Sequence, residues 1–318
     1  MSAQLIECSS DSEWDEFVLR SEQGSVFALS AFLRAQAVAS NRLLLEMDGK
    51  IVATALIIEP NISDFRAPSP YSLYQGIALL PLTGSEHSRV SQSLKIIEAC
   101  SGALAERYRS FALCQSPAFT DLRGFQWFNY HTPQHGRYQL DLQYTGIINL
   151  AEYESHDHYL TTIRSSRRQD AKKAGRLNMK VEESADVAEF MRLYRLTFDR
   201  QDIEVDERSL LKVTRIVEES LNTGIGRLVL CRDAHGVACS AVVTLQDARC
   251  VYYMFGATDP EFRSTGAHTA LLLDRIGDAR EAGRMKFDMV GVNSPQRGDF
   301  KTSFNAKPVP FYSLSYER

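Results

Sequence analysis

The sequence predicts an α/β (α+β) chain built from two tandem copies of one unit, each a mixed, mostly antiparallel sheet flanked by helices. Three observations lead there. At 318 residues with 44% apolar content, the chain exceeds the usual size of one domain and can bury two cores. Helical and strand-like periods alternate along its length, a pattern that excludes a bundle or a sandwich. One order of elements occurs twice: hairpin, strand, glycine-containing loop, long helix, strand.

In the first half, residues 42–46 and 51–59 read as strands joined through Asp48-Gly49, a turn pair that closes a β-hairpin. Residues 71–77 follow as a strand, and a polar loop holds Gly84. Val90, Leu94, Ile97, Leu104 and Tyr108 then recur at helical spacing, and residues 111–115 end the unit as a strand. The second half repeats this with strands at 226–231 and 237–246 around Asp233 and Gly236, then a strand at 250–256. A loop holding Gly266, a long amphipathic helix and a strand at 285–290 complete it. A further amphipathic helix carries Val187, Phe190, Met191, Tyr194 and Phe198. The boundary is expected near 144–149. It gives domains 1–146, a degenerate copy, and 147–318, with the last strand packing back on the first domain.

The N-terminal twenty residues are acidic and lack an apolar run, so they do not read as a secretory signal. No apolar stretch approaches the roughly 20 residues of a membrane helix. The six cysteines are scattered without CxxC spacing and read as reduced thiols. A cytoplasmic protein with no membrane span is expected. The net charge of −4 argues against a generally basic nucleic-acid binder, and no DNA partner is expected. The distribution is uneven, however. Between positions 164 and 180, seven cations face only Asp170, a local +6 that leaves −10 for the remainder.

Within that segment Arg164, Arg168, Lys172 and Arg176 follow one another at i+4, stacking four like charges on one helix flank. Such a stripe fits phosphate groups, with a solvated helix face as the plain alternative. His156 and His158 beside Asp157 read as part of a surface helix, since no partner pair lies at metal-ligand spacing. No metal is expected. Tyr252 and Tyr253 alternate in a strand, so one faces the core and the other the opposite side, free to donate to a substrate. Asp288 ends an apolar strand just before Gly291, where a carboxylate is more easily placed in a cleft than in a core. Phe300 and Phe304 anchor one face of a short helix or turn, and Lys301 projects beside that face.

The repeated unit resembles the GNAT acyltransferase fold. Several strings resemble the Fem family, the GNAT branch that fuses two such domains and moves amino acids from aminoacyl-tRNA onto cell-wall precursors. These are Trp14 to Val18 with Gly24-Ser25-Val26-Phe27, Ile163 to Arg168 continuing through Gly175, Phe198-Asp199-Arg200, Tyr252-Tyr253 with Gly256-Ala257, Phe287-Asp288 with Gly291-Val292, and Phe300-Lys301 with Phe304. The resemblance implies that Lys301 stabilises the reacting carbonyl and leaving group; Asp288, Tyr252 and Tyr253 are the other catalytic candidates. The resemblance also implies that Arg200 meets acceptor phosphates; Arg164, Arg168 and Lys172 are candidates for substrate contact by their charge and spacing. The helical hairpin that classical Fem enzymes insert in the second domain has no counterpart here.

Ordinary GNAT enzymes hold the pyrophosphate of coenzyme A on a loop reading Arg/Gln-x-x-Gly-x-Gly/Ala. Here the loop is Arg263-Ser264-Thr265-Gly266-Ala267-His268, which makes Arg263, Gly266 and Ala267 the candidate cofactor contacts and puts the bulky His268 where a small residue is usual. The first copy's loop has no match, so one active site per chain is expected, in a cleft between the domains. The expected activity is N-acyl transfer, an aminoacyl group from aminoacyl-tRNA being the favoured donor, to an amine of a nucleotide-linked, cell-envelope or saccharide-type acceptor. An acyl-CoA-dependent acyltransferase acting on an amino sugar or small metabolite is the alternative, and a non-catalytic binding module the second.

Overall fold

The computed structural model describes residues 3–58, 71–199 and 206–318. The chain divides into two compact units, Met1–Gln143 with Pro310–Arg318, and Tyr144–Val309.

The first unit runs β1 (Ala3–Glu7), α1 (Asp11–Arg20), α2 (Ser30–Gln36), β2 (Ser40–Met47), β3 (Lys50–Ile58), β4 (Ile77–Leu79), α3 (Glu86–Arg107), β5 (Ser110–Cys114), α4 (Arg123–Gln126) and the start of β6 (Arg137–Asn149). Strands β1 to β4 form an antiparallel sheet in sequence order. The β2–β3 turn places Asp48 at φ 49° and Gly49 at φ 76°, the left-handed pair that matches the twist of a two-residue hairpin. Ser85 caps α3 by accepting from the Ser88 N–H, and Leu43, Leu45, Ile97, Leu104 and Phe125 meet in the core.

The second unit continues through α5 (His156–Thr162), α6 (Ser165–Arg176), β7 (Lys180–Ser184), α7 (Val187–Asp199), α8 (Glu207–Asn222), β8 (Gly226–Arg232), β9 (Ala238–Gln246), β10 (Cys250–Thr258), α9 (Ala267–Glu281), β11 (Lys286–Asp288), α10 (Pro295–Thr302) and the start of β12 (Lys307–Glu317). Its strands lie in the order β6-β11-β10-β9-β8-β7, and only the β10–β11 pair is parallel. The β8–β9 turn is held by Asp233, whose carboxylate accepts from the N–H groups of His235 and Val237 at 2.9 Å each. Strand β9 is buried at every position but its last, which is why it reads as an unbroken run of small and apolar residues. Leu271, Ile276, Phe287, Met289 and Phe304 form the core. Residues 310–317 of β12 return to the first unit, where β12 pairs antiparallel with β5.

Each unit thus repeats hairpin, strand, helix, strand. The expected strand over 71–77 is replaced by the three-residue β4, which starts at Ile77. All six cysteines are free and buried. Among the described residues no helix is long and apolar enough to cross a membrane, and no group of three or more His, Cys, Asp or Glu is placed to hold a metal ion.

Candidate active site

The two tyrosines of β10 divide as their alternation requires. Tyr252 is 5% exposed and its hydroxyl donates to Asp247 Oδ2 at 2.8 Å, so it holds the core, not a substrate. Tyr253 lies on the other face, where its hydroxyl meets His268 Nε2 at 2.8 Å. A bulge between Tyr253 and Phe255 shifts the register against β9. Such an extra residue bends a strand and re-aims its side chains. Gly256 is required there: a Cβ would lie 1.9 Å from the Tyr253 hydroxyl.

His268, in the first turn of α9, points inward. Its Nδ1 lies 2.9 Å from Ser240 Oγ and 3.2 Å from Thr258 Oγ1. The single proton of Ser240 is committed to the carbonyl of Ala257 at 2.9 Å. Nδ1 is therefore the donor to Ser240, and Nε2 accepts the proton of Tyr253. Burial, with the nearby Arg167 charge, lowers the imidazole to about 4, which keeps it neutral.

Lys301 sits on the last turn of α10. Its Nζ donates to the carbonyls of Val290 and, at 3.1 Å, Gly291, and lies 5.3 Å above the Tyr253 ring. The carbonyls face it because Val290 and Gly291 take φ of 51° and 54°. A β-branched residue in that region is strained and persists only where its surroundings hold it. Asp288 supplies the hold, since its Oδ1 accepts from the Val290 N–H at 2.8 Å and from Thr145 Oγ1 at 2.5 Å. At 2% exposed, Asp288 lies in the core instead of facing a cleft, and it shapes the cradle that receives Lys301. Burial lowers the Lys301 ammonium to about 8, with Asp288 opposing that shift and Arg297 adding to it. Phe300 and Phe304 do anchor the turn, with ring centroids 5.2 Å apart, and Phe300 also lies against His268 at 5.9 Å.

The basic segment is less uniform than its spacing. Arg164 precedes α6 as its N-cap and makes a bidentate pair with Asp299 at 2.8 Å for both bonds. Arg168 closes the α5–α6 turn by donating to the carbonyls of Thr161, at 3.0 Å, and Ile163. Lys172 stays unpaired among the described residues and lines a groove of 740 Å³ with Arg168, Asp274 and Glu281. Arg200 lies outside the described residues. The sequence did not single out Arg167, which stacks 5.0 Å over the Phe300 ring and pairs with Asp170 at 3.1 Å.

Beside it lies a cavity of 390 Å³ lined by Arg167, Asp170, Arg263, His268, Thr269 and Phe300, among others. Arg263 is exposed at this cavity and Ala267 is buried. The Ala267 N–H is turned to Thr265 Oγ1 at 3.3 Å. Gly266, at φ 86°, packs under α6 so closely that a Cβ would lie 2.1 Å from the Asp170 carbonyl oxygen. What stands over the loop is Asp170, not the His268 ring.

Residues 158–302 match the family model of an acetyltransferase (GNAT) domain. Fold and match together define an acyltransferase. The crystal structure of FemX is similar in fold at TM-score 0.71 and 14% identity, over 98% of this chain and 97% of that one. The C-terminal domain of a putative lysylphosphatidylglycerol synthetase from Agrobacterium fabrum has TM-score 0.53 at 13% identity, over 97% and 93%. A tandem GNAT protein from the clavulanic acid biosynthesis pathway has TM-score 0.53 at 10% identity, over 99% and 98%. At these identities the likeness carries the fold alone. No curated protein matches the sequence.

Proposed function

We propose that this chain transfers an aminoacyl group from aminoacyl-tRNA to an amine of a nucleotide-linked, cell-envelope or saccharide-type acceptor. The observation that carries the reading is the Lys301 cradle. An ammonium has three N–H donors, and two of them are spent on the carbonyls of Val290 and Gly291. The third remains for an oxyanion that develops when the amine attacks the acyl carbonyl, and a compact charge fixed in a half-buried site needs no reorganisation to meet it. Tyr253 supports the ammonium with its ring face, and its own proton is held by His268.

Two features support an aminoacyl ester over a CoA thioester as donor. The loop at Gly266 lies under α6, and α6 with its C-terminal flank carries a cationic excess suited to the phosphodiester backbone of a nucleic acid. The test is product analysis by mass spectrometry after incubation with aminoacyl-tRNA or acetyl-CoA and a panel of amine acceptors bearing a nucleoside diphosphate. Acyl transfer from aminoacyl-tRNA alone is expected. Transfer from acetyl-CoA at comparable efficiency would overturn the donor assignment.

A further inference from the structure

We propose that Asp170 is an internal stand-in for a phosphate group, and that this one carboxylate sets donor specificity by closing the α9 N-terminus to pyrophosphate-bearing donors such as CoA. The proposal deepens the donor assignment above and rests on it. The N-terminus of a helix behind a glycine loop presents unpaired amides and the positive end of the helix dipole, so an anion is stable there. In this chain a carboxylate stands beside the first turn of α9 and bonds a side chain of that turn. Asp170 Oδ2 accepts from Thr269 Oγ1, in the first turn of α9, at 3.2 Å, and it pairs with Arg167 at 3.1 Å. The backbone of the same residue fits against Gly266 with no room for a Cβ, so helix and loop are locked together.

The cavity beside it also carries cationic and hydroxyl groups that suit phosphate. Arg167 and Arg263 both line the 390 Å³ cavity, as do the hydroxyl-bearing Thr258 and Thr269. The Nε of Arg167 is buried with no hydrogen-bond partner, and Arg263 has no ion pair among the described residues. With Asp170 charged, an incoming diphosphate meets a like charge at the spot where the loop's own cationic groups converge. An uncharged residue at 170 leaves the guanidinium groups of Arg167 and Arg263 at this cavity without that carboxylate. Specificity here is a repulsive element, a carboxylate set against the wrong donor.

Isothermal titration of inorganic pyrophosphate and of CoA into the parent, Asp170→Asn, Asp170→Ser and the charge-retaining Asp170→Glu tests this. The parent and Asp170→Glu are expected to bind neither ligand at millimolar concentration. The two neutral variants are expected to bind both at least about tenfold more tightly, with affinity falling as salt rises. The gain should disappear when Arg263→Glu is added. Folded neutral variants that gain nothing would overturn the role of Asp170 and leave the donor assignment to the product assay. Tight CoA binding by the parent would overturn both.

Discussion

Lys301→Met keeps the length and packing of the side chain and removes its charge. The geometry sets the expected size of the effect. With two of the three ammonium donors engaged by Val290 and Gly291, one donor is left for the transition state. A single oxyanion donor contributes about 2.7–4 kcal/mol, or roughly 100- to 1,000-fold in rate. Turnover should fall on that scale while KM changes little, because the interaction forms only as charge develops. Stability should change little, since the loss of the two carbonyl bonds is offset by removal of a half-buried charge. The assay is single-turnover acyl transfer followed by mass spectrometry, with thermal unfolding measured on the same preparation. A folded Lys301→Met protein with near-normal turnover would refute the reasoning and leave the lysine a structural clasp for the 290–291 turn.

The lowered ammonium of Lys301 also predicts a pH dependence. The charged form exists below about 8, so kcat/KM should fall along an alkaline limb with an apparent pKa near that value; a rise through the same range would make Lys301 a base. Gly256→Ala puts a Cβ 1.9 Å from the Tyr253 hydroxyl and 2.8 Å from His268 Cε1, so overpacking should cost about 1–3 kcal/mol in denaturant unfolding. Adding Tyr253→Phe should recover part of that loss, and strict additivity of the two changes would show that the contact is not what Gly256 relieves. His268→Ala leaves the hydroxyl of Tyr253 without its acceptor and should cost about 1–3 kcal/mol, whereas His268→Gln, whose amide oxygen reaches the Nε2 position, should restore most of it. Equal destabilisation by both would remove the hydrogen bond as the cause.

The fold was legible in the sequence where local chemistry decides it. Asp48-Gly49 and the Asp233 to Gly236 turn announce their hairpins because so few residue pairs accept those backbone conformations. The apolar periods of α3 and α7 announce two of the helices. Lys301 was legible through its neighbours, since Phe300 and Phe304 four apart leave it projecting to one side. What was not legible depends on long-range partners. Nothing local says that Tyr252 would find Asp247, or that Asp288 would be sealed into the core with Thr145, 143 positions away. The spacing of Arg164 within a cationic stripe conceals that Asp299, far along the chain, takes its fork. His268 read as an obstruction because the loop pattern alone cannot show that its ring turns inward, toward Ser240 and Tyr253.

Independently of any resemblance, the chain departs from its own local rules around one ring. A β-branched residue at positive φ, a half-buried ammonium and a neutral histidine each cost stability, and elsewhere a chain avoids them. Here Val290, Lys301 and His268 are linked through contacts to one ring, Tyr253. Asp288 is spent on holding the strained turn, and Gly256 on making room for the hydroxyl. Packing alone does not require this arrangement: a methionine at 301 and a relaxed turn at 290 would fill the same space at lower cost. Sites where several such costs converge on a shared contact are where function overrides local consistency. What the converging groups have in common is that they leave a fixed positive charge with one unspent donor, the group to which the proposed acyl transfer assigns the developing oxyanion.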